Sequence, residues 1–295
     1  MTAQTDLRTR RTLNRRRRSP DSRPSWLATG VLLLGAIYCL VPVAWVLIAS
    51  TKSAAELFST NTFVPSGNLW NNIVILSEYN DHSYWRWVLN TVIYAVFTAV
   101  ASTAVSALAG YALAKFEFKG KSAVFSLLLA GVLVPGIILA IPQYLLLAQV
   151  GLTNSYWSVI LPQIVSPFGI YLARVYAGAS VPTEVIEAAR TDGAGDFRIF
   201  SRIAVPMMLP GLVTVFLFQF VGIWNNFMLP FIMLGDDKLY PLTVGMYQLL
   251  NQGQSLPALY THAITGSLLS IIPLIILFLA LQRYWRVDLA AGAVK

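Results

Sequence analysis

Long apolar runs alternate with short polar stretches along this chain, and the runs have the length of membrane crossings. A hydrocarbon core is spanned by about 20 apolar residues wound as a helix. Runs of roughly that length cover about 27–49, 89–113, 123–149, 156–173, 207–234 and 263–282. They predict an all-α, polytopic membrane protein with six transmembrane helices. The polar remainder is a tail (1–26), a segment from 50 to 88, an island at about 178–206 and a second tail (283–295). In the second run Ala95, Ala99, Thr103 and Ala107 recur every four residues, beside Ser102, Ser106, Gly110 and Ala114. Ridges of small residues let helix backbones approach closely in lipid, so this helix is expected deep in the bundle. Pro135-Gly136, Pro142, Pro162, Pro167 and Pro273 interrupt other runs. Such breaks are tolerated where neighbours or water satisfy the freed carbonyls, and they suit helices that move.

The island 178–206 carries the most pattern. Pro182 suits the first position of a helix, where its missing N–H costs nothing. That helix would set Val185, Ala188 and Ala189 on one face and Glu184, Glu187 and Arg190 on the other. Asp192-Gly193 would end it, because glycine takes the left-handed geometry of a helix stop. A second short helix, with Phe197, Phe200 and Ala204 at helical spacing, would run to Pro206, where the next span begins. Two short helices hinged at a glycine make a docking surface: Ala188 and Ala189 let a partner come close, and the charges set its register. The plainer alternative is an amphipathic helix lying on lipid headgroups.

Composition agrees with a membrane location. Hydrophobic residues are 56% of the chain and charged residues 12%, where soluble domains carry about 25% charged. The basic residues fall on one side. The first tail holds Arg8, Arg10, Arg11, Arg15, Arg16, Arg17, Arg18 and Arg23, and the 114–122 loop holds Lys115, Lys119 and Lys121. Arg174, Arg190, Arg198 and Arg202 lie in the 174–206 loop, and Arg283, Arg286 and Lys295 in the last tail. Those are eighteen, against Lys52, Arg86 and Lys238 on the other side. The positive-inside rule then makes both termini and the Glu187 loop cytoplasmic.

The net charge of +8 therefore calls for no nucleic acid; the Arg15–Arg18 run is suited to anionic headgroups. Thr9-Arg10-Arg11-Thr12-Leu13 reads as a topology anchor rather than an export address. Cys39 is the only cysteine, which excludes an intrachain disulfide and a cysteine-based metal site; an inert buried thiol is expected there. Tyr84, Trp85 and Trp87, at the edge of the second span, read as an interfacial aromatic belt or as a contact for an external partner.

None of the spans as drawn contains Asp, Glu, Lys, Arg or His. Ion-coupled carriers need such groups inside the membrane, and a G-x-x-x-x-G-K-[ST] phosphate loop is absent from the chain. Uphill transport would have to draw energy from another protein, and the docking island is where it would arrive. An intramembrane enzyme lacks candidates, since His82 and His262 fall outside the spans or at their edge.

The run Glu187-Ala-Ala-Arg-Thr-Asp-Gly-Ala-Gly195, with Phe200 and Pro206, resembles the EAA loop of ABC importer permeases, the element that docks into the ATPase subunit. Ala109-Gly-Tyr-Ala-Leu-Ala-Lys-Phe-Glu-Phe-Lys-Gly120, Val134-Pro-Gly136 through Tyr144, Val150-Gly-Leu-Thr-Asn154, Trp224-Asn225, Gln282-Arg-Tyr-Trp285 and Ala291-Gly-Ala-Val-Lys295 are similar to segments of the carbohydrate branch, the MalG-like second permease subunit of sugar importers. Asn226 stands where this family often has an acidic residue, and Arg286-Val-Asp288 departs from the usual approach to the tail.

The resemblance implies a type I ABC importer permease fold in a bacterial inner membrane and a role as a transport subunit rather than an enzyme. The implied partners are a second permease subunit, two ATPase subunits, an extracellular solute-binding protein and membrane lipid. The resemblance implies no cofactor on this chain, with ATP used by the partner ATPase. Glu187, Ala188, Ala189, Asp192 and Gly193 would form the ATPase-coupling lever, with Phe200 and Pro206 holding its second arm. For the solute path, Gln219, Trp224, Asn225 and Asn226 on the fifth span offer the aromatic face and amides that bind sugars. Interfacial packing of the Trp and interhelical hydrogen bonds of the amides are the structural alternatives. Permeases for another solute, such as an amino acid or polyol, and a self-contained facilitator working without ATP are the rival functions.

Overall fold

A computed structural model describes residues 26–253 and 255–292, with side chains through Tyr284. The Arg15–Arg18 run, the twin-arginine-like segment and the last three residues lie outside the described residues. Among those described, every regular element is helical. Helix α1 (Trp26–Ala49) belongs through Leu47 to one compact unit, and Ile48 begins the second. Cys39 on α1 is exposed, not buried as expected; α1 is apolar on all faces, so no side of it is reserved for a core.

The second unit contains α2 (Ala54–Ser59), α3 (Leu69–Glu78), α4 (Ser83–Lys115), α5 (Lys121–Leu133), α6 (Gly136–Gln149), α7 (Tyr156–Ile164) and α8 (Pro167–Ser180). There follow α9 (Thr183–Thr191), α10 (Asp196–Ile199), α11 (Val205–Trp224), α12 (Met228–Met233), α13 (Leu242–Gly253) and α14 (Ala258–Gly292). Among the described residues, four helical stretches are long and apolar enough to cross a membrane: α1, α4, Asp196–Trp224 and Ala258–Tyr284. Counting the bent pairs α5–α6 and α7–α8 as one span each brings the number to six.

Helix α4 is the hub, as its small-residue ridges predict. Ala95, Ala99, Ser102, Ser106 and Ala107 are buried. At Gly110 backbone meets backbone: a Cβ there would lie 2.6 Å from the Arg174 backbone nitrogen and 2.7 Å from the Ala173 Cβ of α8.

Three predicted spans depart from a straight crossing. The 123–149 run is two helices meeting at 104°, because Pro135 forces Val134 out of helical geometry (φ −79°, ψ 119°). The 156–173 run bends by 41° before Pro167, where Ser166 Oγ accepts the Gly169 N–H at 3.0 Å and caps α8. Helix α8 then continues past Arg174 to Ser180. Arg174 needs no helix end there, since its guanidinium lies 3.8 Å over the Phe125 ring, an arrangement that offsets part of the cost of a charge near the membrane. The 207–234 run stops ten residues early, at Trp224, and begins upstream, at Asp196. Pro206 does not start that helix afresh. It lacks an N–H and would clash with the carbonyl four residues back. A wider π turn over Phe200–Ala204 takes up the misfit, with the Val205 N–H reaching Phe200 O.

At the N-terminal end of α4, Trp87, Asn90 and Tyr94 donate to the carbonyls of Asp237, Lys238, Leu239 and Tyr240. These side chains share one helical face and hold the 235–241 loop. The belt reading is corrected accordingly: Tyr84 and Trp87 are buried, and only Trp85 is exposed. His262 likewise sits inside α14, buried, with its ring 5.4 Å from that of Tyr79.

Residues 50–68 fold on a polar knot. Lys52 is fully buried and donates to Thr60 Oγ1 and Asn61 O. Glu56 accepts from the Ser53 N–H at 2.8 Å, from Ser66 Oγ and from Asn68 Nδ2. The Ser53 backbone and side chain and then Ser66 and Asn68 hold the Glu56 carboxyl below its ordinary value of 4.5. A lowered folded-state pKa stabilises fully above 4.5 and loses that contribution as pH falls through the folded value. Protease cleavage within 53–68 is therefore expected to rise as pH drops below 4.5, and Glu56→Gln to flatten that dependence. A pH-independent cleavage rate in the parent protein would remove Glu56 from this role.

Candidate functional site

The polar island folds into a surface with a defined stop. Helix α9 ends in a two-bond motif: the Gly193 N–H donates to Arg190 O at 3.0 Å and the Ala194 N–H to Ala189 O at 2.9 Å. The motif requires a left-handed residue at its centre, and Gly193 has φ +77°. Pro182 stands at the N-cap, one position before the helix. Arg190 Nη2 and Nε both donate to Asp196 Oδ1, at 2.9 and 3.3 Å, and bridge the two short helices. Both side chains are about half exposed, so this pair contributes at most ~1 kcal/mol and acts mainly on register.

The faces of α9 differ from the expectation. Ile186 is the buried residue, Ala189 is half-buried, and Val185 and Ala188 are exposed beside Glu184, Glu187 and Thr191. The two sets are one residue apart, about 100° around the helix, and the core that Ile186 shares with Val181 and Ile199 decides which one turns inward. Ala188 is thus available to a partner, and Ala189 belongs to the fold. Asp192, Gly193 and Pro206 are also exposed, and Phe197 is 78% exposed. Phe200 turns inward, its ring 5.3 Å from that of Tyr111 on α4. Tyr111 in turn meets Phe116 edge to face at 5.9 Å, and the Arg190 guanidinium lies 5.8 Å over Phe116. Through this cluster the exposed surface is tied to the hub helix.

The second group of expected residues separates. Trp224 is 4% exposed and stacks on Phe220 at 5.6 Å; it is a core residue and does not line the cavities that its neighbours border. Asn225 and Asn226 line a cavity of about 680 Å³. Gln219 lines an adjoining one of about 320 Å³ that shares Gln163, Val165, Pro167 and Gly222 with it. Three helix breaks meet at the larger cavity: Val134 to Gly136, Val165 to Pro167, and Asn225 to Phe227.

The amides are placed by one another. Asn226 Nδ2 donates to Gln163 Oε1 at 2.9 Å, and Gln163 Nε2 to Val159 O at 2.8 Å. Gln219 Nε2 donates to Ser166 Oγ at 2.6 Å. Asn225 Nδ2 donates one N–H to Val221 O at 2.8 Å, leaving its second N–H and its Oδ1 for the cavity. Sequence reasoning missed Gln143, Gln163 and Ser166. The available signal was the repeated Pro-Gln pair, Pro142-Gln143 and Pro162-Gln163, inside two interrupted spans. With carboxamides and no ionisable side chain on its wall, the cavity can bind hydroxyl groups but cannot relay protons or act as an acid or base.

The family described as "Binding-protein-dependent transport system inner membrane component" matches residues 104–286, a stretch that holds both the docking surface and the cavity. The chain belongs to this family. This permease is 35% identical, over 92% of its length and 96% of the relative's, to the "Arabinooligosaccharides transport system permease protein AraQ" of Halalkalibacterium halodurans. It is 30% identical, over 94% and 91%, to the "Diacetylchitobiose uptake system permease protein NgcG" of Streptomyces coelicolor. A bacterial ABC transporter involved in the import of the acidic polysaccharide alginate shares its fold, with a TM-score of 0.75, 24% identity, and coverage of 88% of this chain and 95% of that one. The permease is a multi-pass inner-membrane transport subunit, not an enzyme.

Proposed function

We propose that this permease is one half of a heterodimeric pore in an ATP-driven importer of sugars or oligosaccharides. Its partners in this reading are a second permease subunit, two ATPase subunits that use the ATP, and an extracellular solute-binding protein. The names of its relatives, which refer to arabino-oligosaccharide transport and diacetylchitobiose uptake, support the solute class. The basic-residue bias supports cytoplasmic termini and a cytoplasmic α9.

The observation that carries the coupling role is the exposed Glu187, Ala188, Asp192 and Gly193 surface on a stop that is locked into left-handed geometry. A partner pressing on that surface moves Phe200 and Arg190, and with them Tyr111, Phe116 and α4. The half-buried Ala189 and the Phe200 ring keep the lever rigid, and Pro206 with its π turn joins it to α11. Coupling then requires only that the ATPase bind the inward-facing and outward-facing states with different affinity. Gln219, Asn225 and Asn226, now with Gln143 and Gln163 and without Trp224, border the solute path.

The test is gentle solubilisation of the tagged chain from its own membranes and identification of what co-purifies. An ATPase and a second permease are expected, with the ATPase lost in Ala188→Trp while the chain remains in the membrane. A chain that purifies alone and conducts solute into vesicles without ATP would establish the facilitator reading instead.

A further inference from the structure

Gln143 is the least committed polar group on the wall of the cavity of about 680 Å³. Among the described residues nothing hydrogen-bonds its amide. On the same wall Asn225 presents a free Oδ1, while Gln163 and Asn226 are tied to each other. The unpaired capacity is thus the whole Gln143 carboxamide, the Asn225 Oδ1, and one remaining N–H on each of Asn225, Gln163 and Asn226. No Lys, Arg or His, and no Asp or Glu, borders this cavity or the adjoining one.

That inventory discriminates by charge. A hydroxyl both donates and accepts, so it satisfies a carboxamide in either direction. A carboxylate accepts only. It has no proton to offer the Asn225 Oδ1, and although the amide N–H groups could donate to it, it would shed its hydration with no cation on the wall to replace it, which is costly inside a membrane protein. We propose that this cavity is a solute-selectivity site for uncharged, hydroxyl-rich saccharides, with Gln143 and Asn225 as its specificity-determining residues, and that it rejects acidic ones. The inference rests on the solute-path reading above and adds the charge class and the residues that set it.

Saturation-transfer NMR on the purified permease–ATPase complex, without the binding protein, reads weak contacts directly. Arabinotriose and diacetylchitobiose serve as neutral probes and trigalacturonate as the acidic one. At least one neutral probe is expected to bind and the acidic probe not to. Gln143→Ala with Asn225→Ala should weaken the neutral probe about tenfold, the loss of one to two hydrogen bonds. Gln143→Lys should bring trigalacturonate into the site. Equal binding of acidic and neutral probes, absence of neutral binding, or indifference to these substitutions overturns the proposal. ATP-driven uptake of neutral sugar that depends on this chain, measured alongside, separates the two readings. If uptake persists while the binding pattern fails, only the selectivity site falls; if no saccharide is carried, the importer reading falls with it.

Discussion

Gly193→Val is expected to abolish transport while leaving the amount of chain in the membrane within about twofold of the parent. The reason is conformational rather than steric. Nothing lies within 4 Å of a Cβ built at Gly193, yet its φ is +77°. An L-residue in that region costs roughly 1–2 kcal/mol, and a β-branched one is a genuine outlier there. What opposes the strain is small: a nine-residue helix and a half-exposed Arg190–Asp196 pair worth no more than ~1 kcal/mol. The stop therefore gives way first. Losing the Gly193 and Ala194 hydrogen bonds swings α10 relative to α9 and disperses the surface that carries Glu187 and Ala188. Asparagine tolerates left-handed geometry, so Gly193→Asn should retain much of the activity. Solute uptake by cells expressing the complete transporter, set against immunoblotted membrane levels, checks both variants. Uptake near the parent level in Gly193→Val, or disappearance of the protein from the membrane, would defeat the account.

At Gly110 the effect should fall on the fold itself. Even alanine would place Cβ 2.6 Å from a backbone nitrogen of α8. Backbone cannot rotate aside, unlike the Tyr176 ring that a side chain at Gly211 would meet or the Trp87 ring opposite Gly245. Helices α4 and α8 must then separate, at a cost of roughly 1–3 kcal/mol for overpacking by a small group and more for a larger one. Gly110→Leu is expected to yield little monodisperse protein in detergent, and Gly110→Ala to lower the thermal midpoint by several degrees. Gly178→Ala, on α8 but with open space around it, is the matched control and should behave like the parent. Since α8 leads within three residues into α9, any Gly110 variant that survives should also transport poorly. Normal yield and stability in Gly110→Leu would show that the two helices do not pack as described.

Much of this was readable before any coordinates. The apolar runs, the ridges that mark α4 as the hub, and the glycine stop of α9 rest on local composition and local backbone preference. Residues further apart were not readable in the same way. Gln143, Gln163 and Asn226 come from three separate runs and acquire meaning only where three helix breaks converge. Proline signalled each of the first two breaks, but not that one would be a 41° bend and the other a 104° turn. Arg174 read as the end of a span because nothing local announces that Phe125 will lie beneath its guanidinium.

The sequence by itself determined that this chain crosses a membrane, which of its faces are small, and where its docking helix stops. Each follows from transfer free energy or from the left-handed backbone that only glycine adopts freely. The tertiary structure alone decided the solute-facing chemistry. Trp224 and Asn225 are neighbours about 100° apart around a helix, and periodicity cannot say which of two adjacent directions will meet protein and which a cavity. Packing of Phe220 against the indole turned Trp224 into the core; the same rotation left Asn225 at the helix break, on the wall of the cavity that Gln143 also lines.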